Sequence, residues 1–320
     1  MGSCARTFRL LVAPLLLMLV TACTGVANVG AAPSGRATEV GPGVYMIRGA
    51  DGELDAINLG RLGNAGFIVG ERGVVAVDAG VSYRHGQALL AEIARVTDKP
   101  VRLLVITHAR QEFLFGATAF RERGIPILMQ RRVSRLMTAR CEGCLKTLNR
   151  VLGEDAMRGT AMFVPDREFD TAETLDLIGR PIRLLSYGHS SGPGDTAVLD
   201  LSSGVMFAGG LADAGRIPDI QDGELPGWRD ALSALQRLPL KAVVPGHGPA
   251  ASPDVLARVQ RYLDRLEARL LELSRADVAL SEVPDAAELP EFRDWDQYQI
   301  IHRRNASILF VRMERELLFK

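Results

Sequence analysis

Short apolar runs alternate along the chain with longer segments in which every third or fourth residue is apolar. Apolar runs of about four to eight residues indicate strands, and a period of about 3.6 residues indicates helices. The predicted strands cover residues 43–48, 67–69, 74–78, 101–106, 125–128, 182–187, 196–201, 205–208 and 242–244. The predicted helices cover residues 86–97, 112–122, 131–157, 225–238, 253–276 and 305–318.

Elements of the two kinds follow one another through both halves of the chain, with a run of strands in the middle. This order predicts an α/β fold, in which helices cover the faces of β-sheets. The run at residues 101–106, which is apolar apart from Arg102, is typical of a strand that is buried on both faces.

The N-terminus has the pattern of an export signal. Arg6 and Arg9 precede an apolar stretch, residues 10–20, which is short for a membrane span. The stretch ends in Val20-Thr21-Ala22-Cys23, which is similar to a bacterial lipobox. We therefore predict a lipoprotein signal peptide at residues 1–22.

Cleavage before Cys23 would allow acylation of that cysteine, and several acyl chains give stable membrane anchoring. An ordinary secretory signal cut near residues 31–32 is the alternative. Residues 23–40 are predicted to form a flexible tether, and residues 41–320 the folded domain. Thr24 is not the aspartate that retains lipoproteins at the inner membrane. We expect a lipid-anchored protein of the cell envelope, at the outer membrane and facing the periplasm.

Composition narrows the classes of partner. The 320 residues carry no formal net charge, and 47% of them are hydrophobic. Nucleic-acid binding requires a clustered basic surface, so we expect no nucleic-acid partner. The basic run Arg131, Arg132, Arg135 and Arg140 is interpreted as a solvated helix face.

The chain has four cysteines. Cys4 leaves with the signal peptide and Cys23 is the lipidation site, so Cys141 and Cys144 remain as a Cys-x-x-Cys pair. In an oxidising periplasm this spacing indicates a structural disulfide. Redox chemistry by a thiol of depressed pKa is the second interpretation, and zinc binding is the third.

Candidate chemistry follows the predicted strand at residues 101–106. The chain continues there as Thr107-His108-Ala109-Arg110-Gln111-Glu112-Phe113-Leu114-Phe115-Gly116. The segment resembles the Thr-His-x-His-x-Asp-His-x-x-Gly signature of the metallo-β-lactamase superfamily. Four further blocks resemble that family in the same order: residues 64–80 with Asp78, residues 187–196 with His189, residues 205–211 with Gly210, and residues 243–249 with His247.

The resemblance implies a four-layer αβ/βα sandwich with zinc at the sheet edge, where the metal activates water for hydrolysis. It assigns the first metal to His108, position 110 and His189. It assigns the second metal to positions 112 and 113 and to His247, with a bridging carboxylate from position 210.

This chain departs from the pattern at four of those positions, which hold Arg110, Glu112, Phe113 and Gly210. A guanidinium has no lone pair for a metal. We therefore expect an eroded centre with no bound cofactor, and we assign no catalytic residue. A single zinc held by His108, Glu112, His189 and His247 is the alternative.

A pocket that works without metal accounts for these substitutions, and drift of an eroded site without a role is the equal alternative. In this hypothesis Arg110 replaces the lost cationic centre, pairs with Glu112 and hydrogen-bonds neutral imidazoles, while Phe113 fills volume. The predicted pocket residues are Asp78, His108, Arg110, Glu112, His189 and His247.

Three further segments resemble the quinoprotein relay system zinc metallohydrolases: residues 141–160 with the cysteine pair, residues 215–223 before Trp228, and residues 302–305. The resemblance implies export and association with dehydrogenases that use pyrroloquinoline quinone, or with cytochromes.

We accordingly expect a non-hydrolytic binding or accessory protein in quinoprotein-linked periplasmic metabolism. Its expected partners are a quinoprotein dehydrogenase or cytochrome, the membrane, and a small molecule of unknown identity. The alternatives are a mononuclear zinc hydrolase of an ester, thioester or lactam, and a redox role of Cys141 and Cys144.

Overall fold

Two β-sheets form the centre of the protein, which the structure, a computed structural model, describes over residues 1–2 and 35–318. Apart from residues 1–2, the predicted signal peptide, the lipidation site Cys23 and most of the predicted tether lie outside the described residues. The tether was predicted to reach residue 40, but its last residues, from Thr38, belong to a strand that pairs within the domain. From residue 35 onward the described chain belongs to one compact unit.

The first sheet has the strand order β1-β2-β3-β4-β5-β6-β7 in the described part of the chain. Its strands are β1 Thr38–Gly41, β2 Val44–Ile47, β3 Ala65–Val69, β4 Val74–Val77, β5 Val101–Ile106, β6 Ile127–Gln130 and β7 Arg167–Phe169. Strands β1 to β4 are antiparallel to their neighbours, whereas β4 to β7 run parallel. The carboxyl ends of β4, β5 and β6 therefore meet at one edge of the sheet.

The second sheet has the order β12-β11-β10-β9-β8. Its strands are β8 Glu173–Leu175, β9 Ile182–Ser186, β10 Thr196–Asp200, β11 Val205–Gly209 and β12 Ala242–Pro245. All neighbouring pairs are antiparallel except β11 and β12, which are parallel. Parallel β11 and β12 end together, so their following loops lie side by side.

Helices connect the strands and cover the outer faces of both sheets. In the described chain they are α1 Tyr83–Val96, α2 Gln111–Leu114, α3 Ala117–Glu122, α4 Arg131–Leu152, α5 Glu154–Met157, α6 Leu225–Gln236, α7 Asp254–Arg275, α8 Val283–Ala286 and α9 Arg303–Leu318. A 3-10 turn at Pro290–Phe292 and a π-helical segment at Tyr298–His302 precede α9.

Buried side chains form three clusters that define four layers. Val105 and Phe207 belong to the cluster between the two sheets. Leu90 and Phe120 pack in the cluster between the first sheet and its helices. Leu263 belongs to the cluster between the second sheet and α6, α7 and α9. The layers are thus helices, sheet, sheet and helices, which confirms the predicted αβ/βα sandwich.

The predicted helix at residues 112–122 is two short helices, α2 and α3, with a break at Gly116. The Gly116 amide donates to the Gly80 carbonyl at 3.0 Å. A Cβ at position 116 would lie 1.8 Å from the Ala79 carbonyl oxygen. Contact with the chain after β4 therefore ends α2 and holds the segment of residues 107–116 against the sheet edge.

No helix among the described residues is both long enough and apolar enough to cross a membrane.

Candidate functional site

Thr107 and Asp78 hold the loop that carries His108. The Thr107 amide donates to Asp78 Oδ1 at 2.9 Å, and its hydroxyl lies 2.8 Å from Asp78 Oδ2 and 2.7 Å from His108 Nδ1. Asp78 has a φ of 56°, in the left-handed region that turns the chain after β4. Burial raises the pKa of Asp78 to about 7, although the hydrogen bonds from Thr107 oppose this shift.

This network assigns the tautomer of His108. The Thr107 hydroxyl has one proton, and when it donates to Asp78 it can only accept from the imidazole. Nδ1 of His108 then carries the proton and Nε2 keeps a lone pair. That Nε2 is buried and has no hydrogen-bond partner. Burial, assisted by Arg110, lowers the pKa of His108 to about 3, so the ring is neutral.

His247 lies between two carboxylates after β12. Its backbone amide and Nδ1 both lie 2.8 Å from Asp213 Oδ1, and its Nε2 lies 3.4 Å from Glu112 Oε1. Burial lowers the pKa of His247, but Asp213 and Glu112 outweigh burial and raise it. Burial alone would raise the pKa of Glu112, but the contact with His247 and the charge of Arg110 outweigh burial and lower this pKa to about 2. The three groups form a buried carboxylate–imidazole–carboxylate chain.

The ring of Phe113 contacts both imidazoles. Its centroid lies 4.2 Å from that of His108 and 5.2 Å from that of His247. Phe113 is fully buried. A Cβ at Gly63 would lie 2.5 Å from the Phe113 ring, so the absence of a side chain there leaves room for it. A hydrocarbon ring thus occupies the space beside both buried nitrogens.

Arg110 pairs with Asp219 rather than with Glu112, which corrects the pairing expected from the sequence. Its Nη1 lies 3.1 Å from Asp219 Oδ2, and its Nη2 donates to the Asp219 carbonyl at 2.7 Å. Burial lowers the pKa of Arg110, but Asp219 and then Glu112 outweigh it and raise the pKa. Glu112 acts on Arg110 through its charge, while its direct contact is with His247.

Asp195 faces Gly210, the position at which the resemblance expects a bridging carboxylate. A Cβ at Gly210 would lie 2.7 Å from Asp195 Oδ2 and 3.0 Å from His108 Cδ2. The Ser191 hydroxyl donates to Asp195 Oδ2 at 2.6 Å. Burial raises the pKa of Asp195 to about 6. A side chain at position 210 therefore has no free space in this arrangement.

His189 has different partners from the other two imidazoles. Its Nε2 lies 2.7 Å from the Asp222 carbonyl, so this nitrogen donates a proton and has no free lone pair. Its Nδ1 lies 3.7 Å from Glu224 Oε1, and the side chain is 38% exposed. His189 is therefore oriented as a hydrogen-bond donor to the loop before α6.

The donors do not fit the two-metal centre that the resemblance implies. Phe113 packs against both His108 and His247, His189 donates to a carbonyl, and Arg110 brings a positive charge close to His108. Among the described residues, no group of three or more His, Cys, Asp or Glu side chains could hold a metal ion.

A cavity of about 390 Å³ opens beside this cluster. Arg110, Arg216 and Arg304 line it together with His247. Its carboxylates are Glu53, Glu112, Asp213, Asp219 and Asp222, and its apolar side chains are Leu54, Leu62, Ile217, Ile300 and Ile301. The cavity is lined by both positive and negative side chains, and its size suits a small polar molecule.

The segments 215–223 and 302–305 meet at this cavity. Asn305 Nδ2 donates to the Pro218 carbonyl at 2.7 Å, and Arg304 Nη2 lies 2.7 Å from Asp219 Oδ2. His302 instead has structural contacts, with its Nδ1 3.1 Å from the Tyr262 hydroxyl and its Nε2 2.9 Å from the Ala287 carbonyl. Asp219 and Arg304, one from each segment, therefore belong to one wall of the cavity.

Of the predicted pocket residues, Arg110, Glu112 and His247 line the cavity, whereas Asp78, His108 and His189 do not. His108 packs against Phe113, and Asp78 holds the loop of His108 through Thr107. Asp213, Asp219 and Arg304 were missed. Single aspartates in loops carry no periodic signal, although Asp213 lies only three residues after Gly210 in a block that resembles the family. Cys141 and Cys144 lie in α4 as thiols.

Two sheets packed between helices, with a polar cavity at the strand ends, define an α/β protein of the four-layer sandwich class. A model of the metallo-beta-lactamase superfamily matches residues 59–247. The chain belongs to this superfamily. Among curated proteins, none matches the chain.

Two solved structures are similar to this one. A metallo-beta-lactamase from Pontibacter korlensis has a TM-score of 0.59 and 21% identity, and the match covers 72% of this chain and 98% of the other. The DIM-1 metallo-beta-lactamase has a TM-score of 0.57 and 15% identity, with the same two coverages, 72% and 98%. At these identities the likeness supports the fold alone.

Proposed function

We propose that the protein is an exported, lipid-anchored accessory protein that binds a small carboxylate-bearing molecule in the cavity and does not hydrolyse it. The observation that carries this proposal is the position of Arg110. It stands where the superfamily resemblance expects a metal ligand, and it forms part of a cavity wall together with Arg304.

Asp219 contacts two guanidinium groups. Arg110 Nη1 and Arg304 Nη2 both contact the same oxygen, Asp219 Oδ2, at 3.1 and 2.7 Å. The other oxygen of Asp219 accepts from the Gln221 amide at 2.9 Å. The two guanidinium groups therefore share one carboxylate in direct contact, and a ligand carboxylate suits their paired hydrogen-bond donors.

The opposite part of the cavity limits what else the ligand can be. Glu112 and Asp213 hold His247 and present carboxylate charge there, while Leu62 and Ile301 are apolar. A ligand with an anionic group at one end and hydroxyl or amine donors at the other matches both ends. A purely anionic molecule would face repulsion from the carboxylates.

The cellular part of the proposal rests on sequence. The lipobox-like Val20–Cys23 supports lipid anchoring, and the segments 215–223 and 302–305 support a link to quinoprotein metabolism. Those two segments supply Asp219 and Arg304 to the cavity wall. A ligand from quinoprotein metabolism would thus contact the residues of the two segments that resemble the quinoprotein relay family.

Isothermal titration calorimetry with a panel of small hydroxy- and amino-carboxylates tests the binding function. We expect at least one compound to bind, and we expect Arg304→Ala to weaken binding by about ten- to a hundredfold, because a charged hydrogen bond is lost. Arg303→Ala is the matched control, since Arg303 pairs with Asp285 instead. Equal weakening by both variants, or unchanged binding by Arg304→Ala, would contradict the proposed subsite.

A mononuclear zinc hydrolase is the second candidate, and one observation favours it. Nε2 of His108 is buried without a hydrogen-bond partner, and Nε2 of His247 has only the 3.4 Å contact with Glu112. Such nitrogens are suited to a metal. Hydrolysis of an ester, thioester or lactam that is lost on adding a chelator and restored by zinc would select this candidate over the first.

A further inference from the structure

Cys141 and Cys144 lie one turn apart in the middle of α4, with their Sγ atoms 3.5 Å apart. Helix geometry places Cα atoms three residues apart at about 5 Å. This separation lies within the range that a disulfide spans, roughly 4.4–6.8 Å. Cβ atoms three residues apart in a helix lie about 5–6 Å apart, which is wider than the roughly 3.5–4.5 Å of a disulfide. Joining the two sulfurs therefore needs a local change in the backbone of α4, which Gly143 between them permits.

The two thiols differ in access to solvent. Cys141 is 1% exposed and packs in the cluster between the first sheet and its helices. Cys144 is only partly buried and contacts the edge of the same cluster, with its Sγ 3.7 Å from the Arg140 carbonyl. A reagent in solution can reach Cys144, and Cys141 lies directly behind it.

Charged groups from three elements surround the pair. Arg140, on the same helix, forms an ion pair with Asp222 from the loop before α6. Glu112 of α2 acts on Cys144 through its charge and opposes ionisation. The hydrogen bond with Cys141 nevertheless lowers the pKa of Cys144 to about 7, and the same contact raises the pKa of Cys141. Near neutral pH, Cys144 is the thiol of the two that ionises first.

We propose that Cys141 and Cys144 form a thiol–disulfide exchange site in which Cys144 attacks and Cys141 resolves. The substrate is a disulfide, carried either by another protein or by a small molecule. This inference does not depend on the binding function proposed for the cavity, because the pair lies on α4 and is not part of the cavity wall.

The exchange proceeds in two steps. The Cys144 thiolate attacks one sulfur of the incoming disulfide, which forms a mixed disulfide and releases the other sulfur as a thiolate. Cys141 then loses its proton to that thiolate and attacks Cys144 Sγ, which releases the remaining partner sulfur. The pair loses two electrons and becomes a disulfide, and the partner becomes a dithiol. In reverse, an external dithiol restores the reduced pair.

Equilibration of the full chain in graded mixtures of reduced and oxidised glutathione tests the proposal. After an acid quench and alkylation, peptide mapping distinguishes Cys141 and Cys144 from the other two cysteines. We expect the pair to pass from dithiol to disulfide within the glutathione range. A pair that stays reduced in every mixture, or a disulfide that no mixture reduces, would overturn the proposal, the latter in favour of a structural disulfide.

Single variants test the order of attack. In Cys141→Ser, oxidised glutathione should leave one glutathione on Cys144, because the resolving thiol is missing. In Cys144→Ser, the buried Cys141 should form that adduct at least about tenfold more slowly, since reactivity follows thiolate character and access. Faster adduct formation at Cys141 would contradict the assigned roles. Circular dichroism on both variants separates a change of reactivity from a failure to fold.

The contribution of Arg140 has its own control. Arg140→Ala should slow alkylation of Cys144 by iodoacetamide near neutral pH, because the nearby positive charge stabilises the thiolate. Arg150→Ala removes an arginine at the exposed end of the same helix and should leave the rate unchanged. Equal rates in all three proteins would show that the local charge does not activate Cys144.

Discussion

Phe113 contacts both of the neutral or paired imidazoles that line the centre of the site. Its ring is fully buried beside His108 and His247, and Gly63 provides the space for it. The centre of the site is thus a hydrocarbon ring, and the polar groups around it, such as His247 with Asp213, are paired with one another. The phenyl ring fills the volume beside the histidines, so close packing there needs no bound ion.

Phe113→Ala should lower the free energy of unfolding by about 3–5 kcal/mol, because it removes a fully buried ring and leaves a cavity beside two imidazoles. Urea denaturation followed by circular dichroism measures the change. A loss below about 1 kcal/mol would mean that the ring is not packed as described.

His85 gives the protein a pH dependence that lies away from the candidate site. Burial, with the charges of Arg61 and Arg84, lowers the pKa of His85 from 6.5 to about 4. Between these values the unfolded chain binds a proton that the folded chain does not, so stability falls as the pH falls. Each such histidine contributes at most about 1.4 kcal/mol per pH unit.

His85→Gln should therefore flatten the loss of stability between pH 6 and 4, as measured by denaturant unfolding at a series of pH values. His108, whose pKa is lowered to about 3, remains in the variant, so part of the slope should persist. Identical slopes in the two proteins would show that His85 titrates normally in the folded state.

Among the secondary-structure elements, helix α4 has two glycines in different conformations, one inside the helix and one at its end. Gly143 lies within the helix, and a Cβ there would meet no atom within 4 Å. Gly153 ends the helix with a φ of 85°, a conformation that L residues rarely adopt. The same substitution should therefore have opposite effects at the two positions.

Gly143→Ala should raise the free energy of unfolding by about 0.4–1 kcal/mol, because alanine restricts the unfolded chain and favours a helix. Gly153→Ala should lower it by about 1 kcal/mol or more, because of strain at positive φ. Thermal and urea unfolding of the two variants check the pair of signs. Destabilisation by both would mean that position 143 is not a free helical surface.

The elements also differ in how far the sequence predicts them. The strand at residues 101–106 was predicted with the bounds that β5 has, because the segment is apolar apart from Arg102 and ends abruptly at the polar Thr107. The strands β7 Arg167–Phe169 and β8 Glu173–Leu175 were not predicted. Each has three residues, mostly charged or polar, and pairs only at a sheet edge, so its pairing depends on tertiary contacts.

The same limit applies to the site. The position of His108 follows from a strand end, which the sequence shows. The partner of Arg110 does not, because Asp219 lies more than a hundred residues away in a loop without periodicity. The sequence therefore predicted Arg110, Glu112 and His247 at the cavity and missed Asp213, Asp219 and Arg304, whose positions depend on the three-dimensional structure.

Asn64 joins the two halves of the whole molecule at the site. Its Nδ2 donates to the carbonyls of Pro245 and Gly248 at 2.8 and 2.9 Å, and its Oδ1 accepts from the Gly49 amide. The loop that carries His247 is thereby fixed to the strand pair that precedes Asp78. The sandwich places the residues of the five family-like blocks at one edge, where this chain has ion pairs and a phenyl ring in place of a full set of metal ligands.

The metal content of the purified protein, measured by elemental analysis after overproduction with added zinc and iron, tests the central claim most directly. We predict far less than one equivalent of either metal in a folded protein, with no change on His247→Ala. Near one equivalent of zinc, lost on His247→Ala and on His189→Ala, would contradict the account and identify the site as a mononuclear metal centre.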